Sequence, residues 1–283
     1  MNLKDKVAVV TGASVGVGRE LAREFARQGA RVVCAARREG ELKETVRLIK
    51  EEEGEAIFVV TDVTDPKQVE TLFRKTFECY KQVDILFNNA GSLGAVGATW
   101  ELEIDSWWHD VKVNLFGTYL CCRAVLPHMI NRDNGVIINM DGGGGTPGPN
   151  VGGSAYGCSK AAILRFTESL AGELERIGSS VMAVCMNPGF VVSEMTKGAV
   201  DTPYKAKWLS HVVDLLASDE DVPQDRCAKT TMKLLDILAP ELNGRIFRQD
   251  TDYDEVTANL KRIKTENLLV LKYITLEDSS EEV

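Results

Sequence analysis

Two kinds of apolar pattern alternate along the chain. Short unbroken runs fall at residues 6–11 (KVAVVT), 30–36 (ARVVCAA), 56–63 (AIFVVTDV), 83–91 (VDILFNNAG), 135–140 (GVIINM), 181–186 (VMAVCM) and 244–248 (GRIFR). Runs of this length read as strands buried on both faces. Between them apolar residues return every three or four positions: Leu21, Ala22, Phe25 and Ala26; Leu42, Val46 and Ile49; Val69, Leu72, Phe73, Phe77 and Tyr80. That period marks helices with one core-facing stripe. Longer helices are predicted over 100–131, 154–177 and 223–239. The alternation predicts an α/β domain, a doubly wound parallel sheet of seven strands with helices on both faces.

Two segments depart from it. Residues 194–222, with Met195, Tyr204, Trp208, Leu209 and His211, predict a substrate lid, or in the plainer reading a surface helical hairpin. The catalytic domain is expected over 1–253, followed by a C-terminal extension over 254–283. In the extension Val256, Leu260 and Ile263 predict one amphipathic helix, 268–276 is apolar enough to pack, and 277–283 reads as a disordered tail.

Composition narrows the class. The 283 residues are 44% hydrophobic and 27% charged, as in soluble globular proteins. A net charge of −9 opposes nucleic acid and anionic membrane as partners. Neither a leader peptide nor an apolar run of about 18 residues is present, so no membrane association is expected. The seven cysteines, Cys34, Cys79, Cys121, Cys122, Cys158, Cys185 and Cys227, have no metal or disulfide-framework spacing and read as reduced thiols of a cytoplasmic protein. His109, His128 and His211 are scattered, so no metal site is expected.

The chemistry starts after the first strand. Gly12, Gly16 and Gly18 form a glycine turn that runs into a helix from Val17, a Rossmann-type phosphate cradle with spacing Gly-x-x-x-Gly-x-Gly. The second strand ends at Ala36, where an acidic residue would hold a ribose 2′-hydroxyl, and Arg37 and Arg38 follow. Guanidinium groups without a competing carboxylate favour a 2′-phosphate, hence NADP over NAD. Asp62 ends the third predicted strand, where it could touch adenine or cap the next turn. Asn88, Asn89, Ala90 and Gly91 end the fourth, and their size leaves room for a flat cofactor.

Tyr156 and Lys160 lie four residues apart, on one face of a helix. The ammonium is expected to favour the ionised phenol, pulling it below its ordinary value of about 10. Such a phenol exchanges a proton with a carbonyl or alcohol oxygen while hydride moves at carbon.

Together TGASVGVG at 11–18, NNAG at 88–91 and YGCSK at 156–160, in that order, resemble the short-chain dehydrogenases/reductases of the classical type over roughly residues 3–250. The resemblance implies an NADP(H)-dependent oxidoreductase acting on a ketone, aldehyde or secondary alcohol. Tyr156 would be the proton donor, Lys160 its tuner and Asn114 the holder of a water linked to the lysine. Gly12, Ser14, Gly16, Val17, Gly18, Arg37 and Arg38 would hold the adenosine and phosphate half of NADP. Asp62, Val63, Asn89, Ala90, Gly91, Tyr156, Lys160, Pro188, Gly189, Val191 and Ser193 would fix the rest. It also implies a homodimer or homotetramer through helices 101–131 and 154–177.

In two places the chain leaves the family pattern. After Asp250 come Thr251, Asp252 and Tyr253 instead of two glycines, which puts the usual C-terminal interface in question. Members carry a serine about 13 positions before the tyrosine; here counting places it at Gly142 or Gly143, within a run of four glycines. A lost donor of this kind costs about 10² to 10³ in turnover. Candidate replacements are Thr146, Asp141, a substrate hydroxyl or a water, while Ser154 is expected to cap its helix; the glycines could instead make room for a bulky substrate. A non-catalytic NADP-binding sensor or assembly protein is the alternative.

Overall fold

The apolar runs form a seven-stranded sheet in the computed structural model, which describes residues 1–143, 148–218 and 222–272. The strands are β1 (Val7–Thr11), β2 (Arg31–Ala36), β3 (Glu55–Val60), β4 (Ile85–Asn88), β5 (Val136–Met140), β6 (Met182–Asn187) and β7 (Ile246–Arg248). Their spatial order is β3-β2-β1-β4-β5-β6-β7, and every pairing is parallel.

The helices are α1 (Gly16–Arg27), α2 (Glu39–Glu51), α3 (Pro66–Tyr80), α4 (Ile104–Val111), α5 (Gly117–Asn131) and α6 (Ser154–Arg176), then α7 (Glu194–Gly198), α8 (Pro203–Trp208) and α9 (Ser210–Ala217), and finally α10 (Arg226–Ile237), α11 (Tyr253–Ala258) and α12 (Leu260–Thr265). Alternate strand residues point to opposite faces. Ala8, Val10, Val32, Cys34, Ile85 and Phe87 therefore pack under α1, α2 and α10. Val7, Val9, Val33, Ala35 and Leu86 pack under α3 and α5. This is the doubly wound Rossmann-type fold, and the order reverses between β1 and β4, where such sheets open a ligand crevice at their carboxyl ends.

Most element ends fall within one to three residues of the sequence expectation, and four places differ in a way that the local structure describes. β3 stops at Val60 because Asp62 closes a turn, accepting from the Thr64 N–H at 2.9 Å and its hydroxyl at 2.8 Å. β4 stops at Asn88 because the Asn89 and Ala90 N–H groups turn to the Thr11 hydroxyl, at 3.1 and 3.0 Å. The helix predicted over 100–131 is two helices joined by a π-helical turn, Lys112–Phe116, a feature frequent at functional sites. The single helix predicted in the extension is α11 and α12, separated at Asn259.

Tyr253, Val256 and Ile263 join the main core. The Ile246 N–H donates to the Leu269 carbonyl at 2.8 Å, so the chain after 253 lies on the body. Residues 273–276 of the predicted packing segment and the predicted tail, 277–283, lie outside the described residues. Helices α7 to α9 have a small core of their own, in which Ala199, Leu209 and Val212 meet Val96 of the loop after β4.

Candidate active site

The loop from β1 to α1 is built to receive an anion. Gly12 and Gly16 have φ of 68° and 58°, which glycine adopts without strain. A Cβ at Gly12 would lie 2.9 Å from the Ala90 Cα, whereas one at Gly16 would meet nothing within 4 Å. Val15 leads into α1 without a side-chain cap, so the first N–H groups of the helix stay open. Asn89 reaches this loop through its side chain, donating to the Thr11 carbonyl at 2.9 Å and the Gly12 carbonyl at 3.3 Å. Two supports escaped the sequence reading. Arg19 donates to the Ser14 carbonyl at 2.5 Å, and the buried Thr45 hydroxyl donates to the Ala13 carbonyl at 2.9 Å. Their only signal was a polar residue on an otherwise core-facing stripe.

At the end of β2 the two arginines differ. Arg37 is exposed and has no ion-pair partner among the described residues, while Arg38 is tied to Glu194 at 3.0 Å and Glu41 at 3.6 Å. Open N–H groups with a free guanidinium beside them suit a phosphorylated dinucleotide. The Val63 side chain is packed in the core beside Gly117, which leaves only its backbone for a ligand.

Tyr156 and Lys160 share one face of α6, with the ammonium 5.7 Å from the ring centroid. The Lys160 Nζ donates to the Met140 carbonyl at 2.7 Å, which pins it at the end of β5. The phenol rests on Gly142: a Cβ there would overlap the Tyr156 hydroxyl. Of the two glycines that counting allowed, Gly142 is the one facing the tyrosine. The space it leaves is filled by the phenol, so at this position it does not enlarge a substrate cavity. Thr146 lies outside the described residues.

Asp141 is buried beside this pair. One carboxylate oxygen accepts from the Asn187 side chain at 2.9 Å; the other, Oδ1, is buried with no partner among the described residues. Ser154 is the first residue of α6, but its hydroxyl accepts from Trp107 Nε1 at 3.1 Å instead of capping the helix.

The environment reverses one expectation. Burial pushes the Tyr156 phenol up from its ordinary value, and the Asp141 and Asp110 carboxylates push the same way. The ammonium does not pull it down because Lys160 is itself desolvated: burial lowers it to about 8, with Asp141 opposing the fall.

Asn114 sits fully buried in the π-turn. Its Nδ2 donates to the Ser92 carbonyl at 3.0 Å and the Ser159 hydroxyl at 2.9 Å, and its Oδ1 accepts from the Ser92 N–H at 2.8 Å. The Ser159 hydroxyl donates to the Tyr156 carbonyl at 2.8 Å, so Asn114 joins the backbone of α6 to the loop carrying Ala90 and Gly91. Asp110, which the sequence reading missed, braces that loop through the Gly94 and Ala95 N–H groups, both at 2.9 Å.

Pro188, Gly189 and Val191 follow β6 on the same sheet edge, and the Gly189 N–H donates to the Asn187 side-chain oxygen at 2.9 Å. The Ser193 side chain caps α7 by accepting from the Thr196 N–H at 3.3 Å. Beyond this edge a cavity of about 410 Å³ is lined by Gly94, Val96, Glu101, Glu103, Ser106 and Tyr204. None of Tyr156, Lys160 and Asn114 lines it. Tyr204 closes one side by donating to Glu101 at 2.6 Å.

Residues 6–203 match the short chain dehydrogenase family. A short chain dehydrogenase of Pseudocercospora fijiensis is 37% identical over 264 residues, 90% of this chain and 83% of the relative. An actinorhodin polyketide ketoreductase variant, solved with NADPH, superposes with a TM-score of 0.75 at 29% identity over 86% of this chain and 95% of its own. A short chain dehydrogenase/reductase of Burkholderia phymatum, solved with NAD, gives 0.77 at 25% identity over 97% and 99%.

Proposed function

The chain belongs to the short-chain dehydrogenase family, and from that membership we propose an NADP(H)-dependent oxidoreductase that reduces a ketone or aldehyde with Tyr156 as proton donor. The observation that carries this reading is the phenol itself. It stands at the carboxyl edge of the sheet, beside Lys160; a phenol is protonated at neutral pH at its ordinary value of about 10, and burial with the Asp141 and Asp110 carboxylates pushes it further up. A protonated phenol is the form that donates, so the resting site suits reduction.

When bound, the nicotinamide supplies the hydride. The open N–H groups at Gly16 to Gly18 and the unpaired Arg37 would hold the phosphates, with NADP preferred because Ala36 offers no carboxylate. Of the two arginines first assigned to the phosphate, Arg38 is engaged by Glu194, so Arg37 carries that role. Asp62, Asn89, Ala90, Gly91, Pro188, Gly189, Val191 and Ser193 line the rest of the cofactor's path. Lys160 orients the ribose and holds positive charge near the phenol, and Asn114 fixes α6 against the loop after β4.

We further read 1–253 as the catalytic domain, 194–222 as the substrate lid, and the helices at 101–131 and 154–177 as a homo-oligomer interface. The setting is cytoplasmic, the substrate a small carbonyl compound. A second reading, a cofactor-binding protein without turnover, is favoured by one observation: Gly142 supplies no second donor beside the phenol.

One experiment separates the two readings. Purified protein with NADPH is assayed against a panel of ketones and aldehydes beside Tyr156→Phe. Turnover that falls about 10² to 10⁴-fold in the variant is expected. Cofactor binding without turnover on any carbonyl would support the second reading, and turnover unchanged by the substitution would remove Tyr156 from the chemistry.

A further inference from the structure

We propose that Arg38 and Glu194 form a strap across the cofactor crevice, which must open for the dinucleotide to enter or leave. The topology of the sheet carries the argument. Arg38 follows β2 and Glu194 opens α7 after β6, and in the sheet order those two strands are separated by β1, β4 and β5. At about 4.8 Å per strand, their ends stand roughly 19 Å apart. Yet the Arg38 guanidinium meets the Glu194 carboxylate at 3.0 Å. A tie that closes such a gap runs over the carboxyl ends of the strands between, where β1 and β4 open the crevice.

Both ends of the tie are anchored. Glu194 is fixed by the capping box of Ser193 and Thr196, and the segment leading to it is held where the Gln224 side chain donates to the Val192 carbonyl at 3.1 Å. Arg38 leads directly into α2, whose Leu42, Val46 and Ile49 are packed in the core. Among the described residues, this is the one ion pair that joins residues 194–217 to the rest of the domain. Their far end is tied elsewhere: Tyr204 donates to Glu101, and Trp208 packs on Gly152. When the strap opens, Glu41, 3.6 Å from the same guanidinium, gives Arg38 a partner on its own side. Arg37 is left to meet the phosphate, so the strap can close again over a bound cofactor.

This inference rests on the proposed NADP(H) binding, and its test has one arm that needs the cofactor and one that does not. Arg38→Gln, Glu194→Gln and the double variant are compared with the wild type. In stopped-flow fluorescence each single variant is expected to speed both association and release of NADPH about two- to fivefold, the scale of an exposed ion pair, with Kd nearly unchanged. The double variant should match the singles, because a strap cut twice is no more open than one cut once. A plain charge effect on a phosphorylated ligand would instead push the two singles in opposite directions. In the protein without cofactor, amide hydrogen exchange of residues 194–198 should rise about two- to fivefold, alike in all three variants.

Unchanged rates, opposite shifts in the two singles, or faster association with slower release would overturn the proposal. Exchange at 194–198 that the variants leave unchanged would overturn it too. A wild type that binds neither NADPH nor NADH, with exchange raised alike in the three variants, would sink the cofactor reading while leaving the tie across the crevice standing.

Discussion

The two edges of one sheet treat a buried carboxylate in opposite ways. At the amino edge Asp84 accepts from the Val7 N–H at 2.9 Å, from Gln82 at 2.8 Å and from Arg132 at 3.0 Å, with Lys6 at 3.7 Å. At the carboxyl edge Asp141 is equally buried, yet its Oδ1 has no partner among the described residues, and the Oδ1 of Asn88, at the end of β4, has none among them either. A protein optimised only for stability would satisfy both edges, because an orphaned buried acceptor costs about 1 to 3 kcal/mol. The difference fits the proposed function: the carboxylate of the amino edge is spent on holding the fold together, and that of the carboxyl edge is left open where a ligand is proposed to bind.

Substitutions can break or sharpen that contrast. The largest effect is expected from Asp84→Ala, which strands the Val7 N–H and frees Arg132. Denaturant unfolding should show a loss of about 3 kcal/mol, with kcat of the folded fraction unchanged. A fall in kcat matching the loss of stability would erase the distinction between the edges.

Next comes Arg37→Ala, which should weaken NADPH about tenfold by removing one charge-assisted contact and leave NADH almost unaffected. Titration of both cofactors checks it, and equal weakening would mean that Arg37 does not meet a 2′-phosphate.

Asp141→Asn should act more subtly. Lys160 is lowered to about 8 by burial, and the Asp141 charge holds it up. Removing that charge favours loss of the proton, so the alkaline fall in kcat/KM should move to lower pH. A profile that stays in place, or moves to higher pH, would detach Asp141 from the lysine.

The fold was legible because each strand alternates between two cores, and each helix shows one stripe; Val9 and Val10 could be assigned to opposite faces from their neighbours alone. Much of the site was legible for similar reasons. Tyr156 and Lys160 are joined by helical geometry, and the glycines mark a turn by their spacing.

What escaped depends on contacts between distant segments. That Asn89 braces Gly12 is set by the pairing of β1 with β4. The seat of the phenol on Gly142 exists only once α6 has docked beside β5. The direction of the Tyr156 shift was misjudged because spacing reveals a neighbouring ammonium but not the burial that desolvates both groups or the carboxylates from β5 and α4.

The proposed reduction depends most on a protonated phenol at the carboxyl edge. Spectrophotometric titration of phenolate absorbance, wild type minus Tyr156→Phe, measures that directly in the protein without cofactor. The difference signal is predicted to emerge only above the ordinary tyrosine range, beyond about pH 10. A phenolate appearing near neutrality would contradict the account, since the resting site would then hold a base instead of the acid that reduction requires.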